Sequence, residues 1–115
     1  MLSLKYAFDR AHYRLAYPIQ ERPLLVREDR ENEVVDISEG GLRYRLSGDP
    51  APELGSVVSG MLAVKRGIRV EVEGEVVRVQ DGEVAVHLTV RGIPFALVWA
   101  EQRWLRSRYP GRFLG

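Results

Sequence analysis

The chain has 115 residues, which is the length of one domain, and 45% of them are hydrophobic, so we expect a folded single domain spanning residues 1–115. Seventeen lysines and arginines against 16 aspartates and glutamates leave a net charge of +1, which argues against a general nucleic-acid-binding surface. The chain has no cysteine, which excludes disulfides, thiolate catalysis and cysteine-ligated zinc.

The first ten residues, MLSLKYAFDR, do not have a positively charged region followed by an apolar one, so they do not predict a secretory signal. The longest apolar run, FALVWA, has six residues, far short of the roughly 20 that a membrane-spanning helix needs. We therefore expect a cytoplasmic protein without a membrane span.

Residues 1–18 predict an N-terminal arm that is rich in aromatic side chains. Apolar side chains alternate with polar or small ones as far as residue 8, which favours a short strand or an ordered arm. Pro18 separates the arm from the strands that follow, and the polar groups of the arm have no evident strand partner. We therefore expect residues 9–17 to be mobile until a ligand orders them.

Apolar residues recur with a period of two from residue 19 to residue 90, which predicts a β-domain of six strands. Gly, Pro, Asp and Ser separate the strands, as is typical of strand connections. The strands, in chain order, are RPLLVRE, NEVVDIS, LRYRLS, SVVSGMLAVK, IRVEVEGEVVRVQ and EVAVHLTV. Six short antiparallel strands favour a closed or nearly closed barrel, because closure removes exposed strand edges.

The last two strands predict a hairpin with a type I′ turn at Asp81-Gly82, a pair that tolerates positive φ angles. This turn places Val79 opposite Val84 and Val77 opposite Val86 on one face. The first half of the same strand has the opposite parity, and we expect a β-bulge at Gly74 to absorb the mismatch.

The stretch DISEGGL, residues 36–42, predicts a second hairpin, with a two-residue turn at Glu39-Gly40. The facing pairs are then Ser38 with Gly41, Ile37 with Leu42, and Asp36 with Arg43. The core face carries Val35, Ile37, Leu42 and Tyr44, and the other face carries Asp36, Ser38, Arg43 and Arg45. One face of the hairpin therefore combines an acid, a hydroxyl and two guanidinium groups.

This polar face has the chemistry of a guanine site, although a structural explanation is also open. Asp36 offers only acceptors and Ser38 offers both a donor and acceptors, so together they suit the N1–H and N2–H₂ edge of guanine. Alternatively, Asp36 pairs with Arg43 across an ordinary hairpin. The stretch RAHYR has the same two explanations, since Arg10 and Arg14 either bind an anion or are ordinary exposed arginines.

Residues 94–109 predict a C-terminal amphipathic helix with Pro94 in its first turn. Its apolar face carries Leu97, Ala100, Trp104 and Leu105. Its last turns carry Arg103, Arg106 and Arg108, where positive charge suits the helix dipole. This basic run is either a solvated face or a docking surface for a partner protein.

Enzymatic and metal-binding patterns are not evident. His12 and His87 have no partner at metal-ligand spacing, and Ser38 has no evident histidine base. Asp36 and Glu39 flank a turn and show no acid–base pairing. We therefore predict a binding protein, not an enzyme, without a metal or a cofactor.

Two motifs, Arg10-Ala-His-Tyr-Arg14 and Asp36-Ile-Ser38-Glu-Gly40-Gly41, resemble the signature of the PilZ domain, a family of bacterial receptors for cyclic di-GMP. That signature is R-x-x-x-R followed further along the chain by [D/N]-x-S-x-x-G, and the order and spacing fit. The predicted arm, six-stranded barrel (residues 19–90) and C-terminal helix also match the family. The resemblance therefore covers essentially the whole chain.

The resemblance implies a site for cyclic di-GMP between the arm and the barrel. The implied ligand-binding residues are Arg10 and Arg14 for phosphate contact and guanine stacking, Asp36 and Ser38 for the guanine edge or phosphate, and Gly41 to leave room for the ligand. We assign Asp9, Gly40 and Arg43 to a second tier. Arginine suits this ligand because its planar fork binds phosphate and its flat face stacks on guanine.

We therefore expect a receptor that relays cyclic di-GMP occupancy to a downstream partner protein and binds no DNA. The alternative is a PilZ-type adaptor that binds a type IV pilus or motility protein and no nucleotide. A small barrel for single-stranded nucleic acid is a more distant alternative, which the near-neutral charge disfavours.

Overall fold

The computed structural model describes residues 13–111. These residues form seven β-strands, one short 3-10 turn (Ile19–Glu21) and one α-helix. The elements are β1 (Leu15–Ala16), β2 (Leu24–Arg27), β3 (Arg30–Ser38), β4 (Gly41–Arg45), β5 (Val57–Ala63), β6 (Arg69–Gln80), β7 (Glu83–Arg91) and α1 (Phe95–Arg108).

Strands β2 to β7 close into a six-stranded antiparallel barrel. Their order is β3-β2-β5-β6-β7-β4, and the pairing of β3 with β4 completes the circle. The strand β1 is an addition to the barrel and pairs with the end of β3, beyond the part that pairs with β2. The predicted fold class, a six-stranded antiparallel barrel with a C-terminal helix, is confirmed.

The core is formed by the inward-facing side chains of the strands and by one side of α1. Fully buried examples from the barrel are Leu25, Val34, Ile37, Leu62 and Val84, and α1 adds Val98 and Leu105. Burial of each such side chain contributes roughly 1.5–3 kcal/mol. The alternation of apolar and polar residues along each strand therefore accounts for most of the packing.

Two pairs of adjacent valines break this alternation, and each pair marks a β-bulge. In β3 the bulge falls at Val35, so Val34 faces the core in its place. In β6 it falls at Val77, which is exposed, and Val76 lies opposite Val86 in the core. The predicted pairing of Val79 with Val84 is confirmed. The predicted core position of Val35 and the predicted pairing of Val77 with Val86 were wrong, because an apolar pair does not indicate which member faces inward.

Gly74 lies at a second irregularity between β6 and β7, but the side chains of β6 do not change faces there as predicted. They do so three residues later, at Val77. At Gly74 the backbone of β7 passes so close that a Cβ atom would overlap the His87 carbonyl and the Leu88 Cα. Glycine is therefore needed here for close approach of two backbones.

The segment that leads into the barrel is held by strand pairing and by burial. In β1, Leu15 pairs with Ile37 of β3. The first amide after β1, that of Tyr17, donates a hydrogen bond to the Val35 carbonyl of β3 at 3.0 Å. Both Leu15 and Tyr17 are buried. The expectation that the arm has no strand partner was therefore wrong for residues 15–17, whereas residues 9–12 lie outside the described part of the chain.

Helix α1 lies within the predicted residues 94–109 and buries polar as well as apolar side chains. Leu97 and Leu105 of the predicted apolar face are buried, and Ala100 and Trp104 are half-buried. Three more residues, Val98, Glu101 and Gln102, are also buried. No helix among residues 13–111 is both long and apolar enough to cross a membrane.

Candidate functional site

The β3–β4 hairpin has the predicted register. Its facing pairs are Ser38 with Gly41, Ile37 with Leu42, and Asp36 with Arg43. Ile37 and Leu42 belong to the core, and the alternation of the strand puts Asp36 and Ser38 on the other face of β3. Both polar side chains are nevertheless buried. They are therefore covered polar groups, which require partners.

Asp36 is the centre of this site, with 1% of its surface exposed. Its Oδ1 atom accepts a hydrogen bond from Arg14 Nη1 at 3.0 Å. Its Oδ2 atom accepts two from Arg43, from Nε at 2.8 Å and from Nη2 at 2.5 Å. Because a buried polar group needs partners, these two arginines compensate the burial of the Asp36 side chain. The arm motif and the hairpin motif therefore meet at Asp36.

The ion pairs continue from Arg43 to the neighbouring strand β7. Arg43 Nη1 lies 3.3 Å from Glu83 Oε1, and Glu83 Oε2 lies 3.4 Å from Arg45 Nη1. Hydrogen bonding to Asp36 raises the pKa of the Arg43 guanidinium above its ordinary value. The side chains of Arg14 and Arg43 are 54% and 38% exposed, so both guanidinium groups are accessible to a dissolved anion.

Ser38 and Gly41 lie beside Asp36 in a crowded region. The Ser38 hydroxyl donates to the Gly41 carbonyl at 3.4 Å, which is long for an O–H···O bond. A Cβ atom at Gly41 would lie 3.0 Å from the Val86 carbonyl oxygen. The approach of β7 therefore gives one structural reason for glycine here, and the role of leaving room for a ligand stays a prediction.

The structure thus brings most of the candidate residues into one region. Those in it are Arg14, Asp36, Ser38, Gly41 and the second-tier Arg43, with Gly40 in the adjoining turn. Arg10 and Asp9 lie outside the described residues. Within residues 13–111, no group of three or more His, Cys, Asp or Glu side chains could hold a metal ion.

One member of the site, Glu83, was missed by sequence reasoning. It lies directly opposite Arg45 in the pairing of β4 with β7. These strands are far apart in the sequence, so neither periodicity nor turn chemistry indicates that they are neighbours. An acid at the start of β7 was therefore not recognised as a partner for arginines of β4.

A second group of polar contacts connects the arm to α1. The Tyr17 hydroxyl donates to Glu101 Oε1 at 2.7 Å. Glu101 Oε2 accepts a hydrogen bond from Arg66 Nε at 3.0 Å and forms an ion pair with Arg66 Nη2 at 2.9 Å. The Tyr13 hydroxyl donates to the Gln102 side-chain carbonyl. The helical pattern did not indicate these contacts, because an acid and an amide are normally placed on the exposed face. The sequence signal that was available for these contacts was the pair of tyrosines, Tyr13 and Tyr17, four residues apart in the arm.

Stability at alkaline pH should depend on Tyr17. Burial, reinforced by the charge of Glu101, raises the pKa of Tyr17 well above 10.0. The unfolded chain loses this proton near pH 10 while the folded chain keeps it, so stability falls as the pH rises above about 10. The fall attributable to one such proton is about 1.4 kcal/mol per pH unit.

Urea unfolding of the parent and of Tyr17→Phe, between about pH 8 and about pH 11.5, measures this slope. The variant should be less stable at neutral pH but should lose stability more slowly above pH 10. The other buried tyrosines are present in both proteins, so they cancel in the comparison. Parallel curves would contradict the assignment.

Comparisons with known proteins agree with this architecture. A family model described as the PilZ domain matches residues 8–95 of the chain. The crystal structure of an uncharacterized Legionella protein is similar with a TM-score of 0.56 and 20% sequence identity, over 85% of this chain and 98% of that one. At this identity the similarity supports the fold alone. No curated protein matches the sequence.

Proposed function

Because this chain belongs to the PilZ domain family, a family of receptor and adaptor modules for cyclic di-GMP signalling, we propose that it is a receptor for cyclic di-GMP and not an enzyme. One observation carries the proposal. Arg14 belongs to the first family motif and Asp36 to the second. Arg14 Nη1 lies 3.0 Å from Asp36 Oδ1 although the two residues are distant in the sequence. Two motifs that must act on one ligand are therefore next to each other.

In the proposed complex, Arg10 and Arg14 bind the phosphates and stack on guanine, and Asp36 and Ser38 bind the guanine edge or a phosphate. The carboxylate of Asp36 is covered, so a guanine edge reaches it only if one arginine moves. Arg14 is the one to move, because it makes a single contact with Asp36 whereas Arg43 makes two. The guanine N1–H and N2–H₂ groups then replace the Arg14 donor, and Arg14 turns to a phosphate.

The charge of the proposed site is opposite in sign to that of the ligand. Arg10, Arg14 and Arg43 carry three positive charges, and Asp36 and the second-tier Asp9 carry two negative charges, which leaves +1 facing the two phosphodiester groups. Glu83 does not upset this balance, since Arg45 pairs with its other oxygen. We place Asp9 and Gly40 beside the ligand as second-tier residues.

The remaining parts of the proposal follow from the family. We propose that the protein acts in the cytoplasm, needs no cofactor and binds no DNA. Its output is the relay of ligand occupancy to a downstream protein.

Titration with cyclic di-GMP tests the proposal directly. We expect a dissociation constant well below millimolar by calorimetry and a rise in melting temperature, because a ligand that binds only the folded state stabilises it. Cyclic AMP, which has one phosphate and no guanine, should produce neither effect. If cyclic di-GMP at high micromolar concentration gives no heat and no thermal shift, the receptor proposal is wrong.

The second candidate function is that of an adaptor that binds a pilus or motility protein and no nucleotide. One observation favours it: Asp36 is already paired with both Arg14 and Arg43, as it would be in a purely structural cluster. The same titration separates the two candidates. An adaptor would show no response to cyclic di-GMP even though its motif residues are intact.

A further inference from the structure

We propose that Glu101, on the C-terminal helix, is a positioning residue of the ligand site that acts through Tyr17 on Arg14. The inference rests on the proposed function, since it concerns the same site. It extends that function by including α1 in ligand binding. The family motifs assign no role to Glu101, Tyr17 or Arg66.

Glu101 is a fully paired acid in the interior. It is 1% exposed, and both of its carboxylate oxygens accept hydrogen bonds. Oε1 accepts from the Tyr17 hydroxyl at 2.7 Å. Oε2 accepts one hydrogen bond from Arg66, in the connection between β5 and β6, and forms an ion pair with the same guanidinium. The carboxylate therefore joins three separate parts of the chain: the arm, the barrel and α1.

The connection from Tyr17 to the ligand site is short and constrained. Arg14 lies three residues before Tyr17, and the two residues between them are β1, which is paired with Ile37 and Asp36 of β3. The Tyr17 amide makes one more hydrogen bond to β3. On the other side of Arg14, the hydroxyl of Tyr13 binds Gln102, the neighbour of Glu101. Arg14 is thus flanked on both sides by tyrosines bound to α1.

This arrangement fixes where the Arg14 backbone lies relative to Asp36. Loss of the Tyr17 hydroxyl, or of the Glu101 charge that pairs with Arg66, leaves buried polar groups without their full set of partners, and a shift of the arm relieves this by admitting water. A shift of the arm changes the reach of Arg14 toward the ligand. Because coupling between sites is reciprocal, a ligand that holds Arg14 must in turn hold α1 more firmly.

A matched control exists just after the arm, in the 3-10 turn. Glu21 is also a buried acid in contact with the end of α1, accepting from Arg108 Nε at 3.2 Å and from the Tyr109 hydroxyl at 2.7 Å. Pro18 and the 3-10 turn separate Glu21 from Arg14. Glu21→Gln should therefore lower stability without altering the position of Arg14.

The test compares Glu101→Gln, Tyr17→Phe and Glu21→Gln with the parent by calorimetry with cyclic di-GMP and by thermal unfolding. We expect the first two variants to bind roughly three- to thirtyfold more weakly, at a temperature where all are folded. Glu21→Gln should lower the melting temperature and bind as the parent does. Hydrogen exchange of α1 in the parent should slow when cyclic di-GMP is added.

Two results would overturn the inference while the proposed function stands. One is unchanged affinity in Glu101→Gln and Tyr17→Phe, and the other is an equal loss of affinity in all three variants, which would reflect stability alone. If the parent itself binds no cyclic di-GMP, the proposed function fails, and the exchange of the Tyr17 amide without ligand decides the inference. Faster exchange in Glu101→Gln than in Glu21→Gln supports positioning of the arm by Glu101, and equal exchange refutes it.

Discussion

Replacement of Arg14 by lysine is expected to weaken the binding of cyclic di-GMP almost as much as replacement by alanine. Lysine keeps the charge but has neither the planar fork that holds a phosphate by two hydrogen bonds nor the flat face that stacks on guanine. The expected loss in either variant is about 1.5–3 kcal/mol, which is roughly ten- to a hundredfold in affinity. Calorimetry on folded variants measures it.

Arg45→Lys is the matched control for this substitution. Arg45 is a similarly exposed arginine, and it pairs with Glu83 and not with Asp36. It should therefore tolerate lysine with little change in affinity. If Arg14→Lys binds as the parent does, Arg14 acts as a simple point charge, and the proposed geometric role for it is wrong.

Gly74→Ala is expected to be the most destabilising single-methyl addition in the barrel, lowering the free energy of unfolding by about 3 kcal/mol. The new methyl group would overlap the backbone of β7 at His87 and Leu88. Backbone atoms in a paired strand cannot move aside as a flexible side chain can, so β6 and β7 must separate. Urea unfolding at neutral pH measures the loss.

Gly111→Ala is the control for Gly74→Ala, because within residues 13–111 no atom beyond the adjoining residues lies within 4 Å of the position of its added Cβ. Its stability should stay within about 0.5 kcal/mol of that of the parent. A Gly74→Ala variant of parental stability would mean that the two strands lie further apart than the structure has them.

Much of the barrel could be predicted because the relevant signals are local. Alternation located the six strands, and the turn at Asp81-Gly82 has the positive φ at both residues that its sequence predicted. The turn at Glu39-Gly40 fixed the facing of Asp36 with Arg43. Hairpin register depends on a few consecutive residues, which is why it was accessible from the sequence.

The errors occurred where the structure depends on contacts between distant parts of the chain. In the valine pairs at 34–35 and 76–77, the apolar character of both residues allows either one to face the core. Only packing decides which valine is inside. Strand β1 has two residues, too few to show periodicity. Glu101 is buried because Tyr17 and Arg66 meet it, and nothing near it in the sequence indicates this.

The proposed ligand-binding residues were identified by motif, and their arrangement needed the structure. The sequence offered the pairing of Asp36 with Arg43 as one of two explanations, but the burial of Asp36 and its simultaneous contact with Arg14 were not predicted. Glu83 was missed because the neighbours of β4 cannot be deduced from its own residues.

The pairing of β4 with β7 also matters while the protein is being made. As the chain leaves the ribosome, β3 and β4 emerge as a hairpin long before β7, the second neighbour of β4. Until then the free edge of β4 can pair with other nascent chains, which is a route to misassembly. Asp36 and Arg43 can meet at that early stage, whereas Glu83 joins them only with β7, and α1 follows last. A truncated translation product therefore cannot assemble the whole set of contacts around the arm, and only a finished chain can respond to the second messenger as proposed.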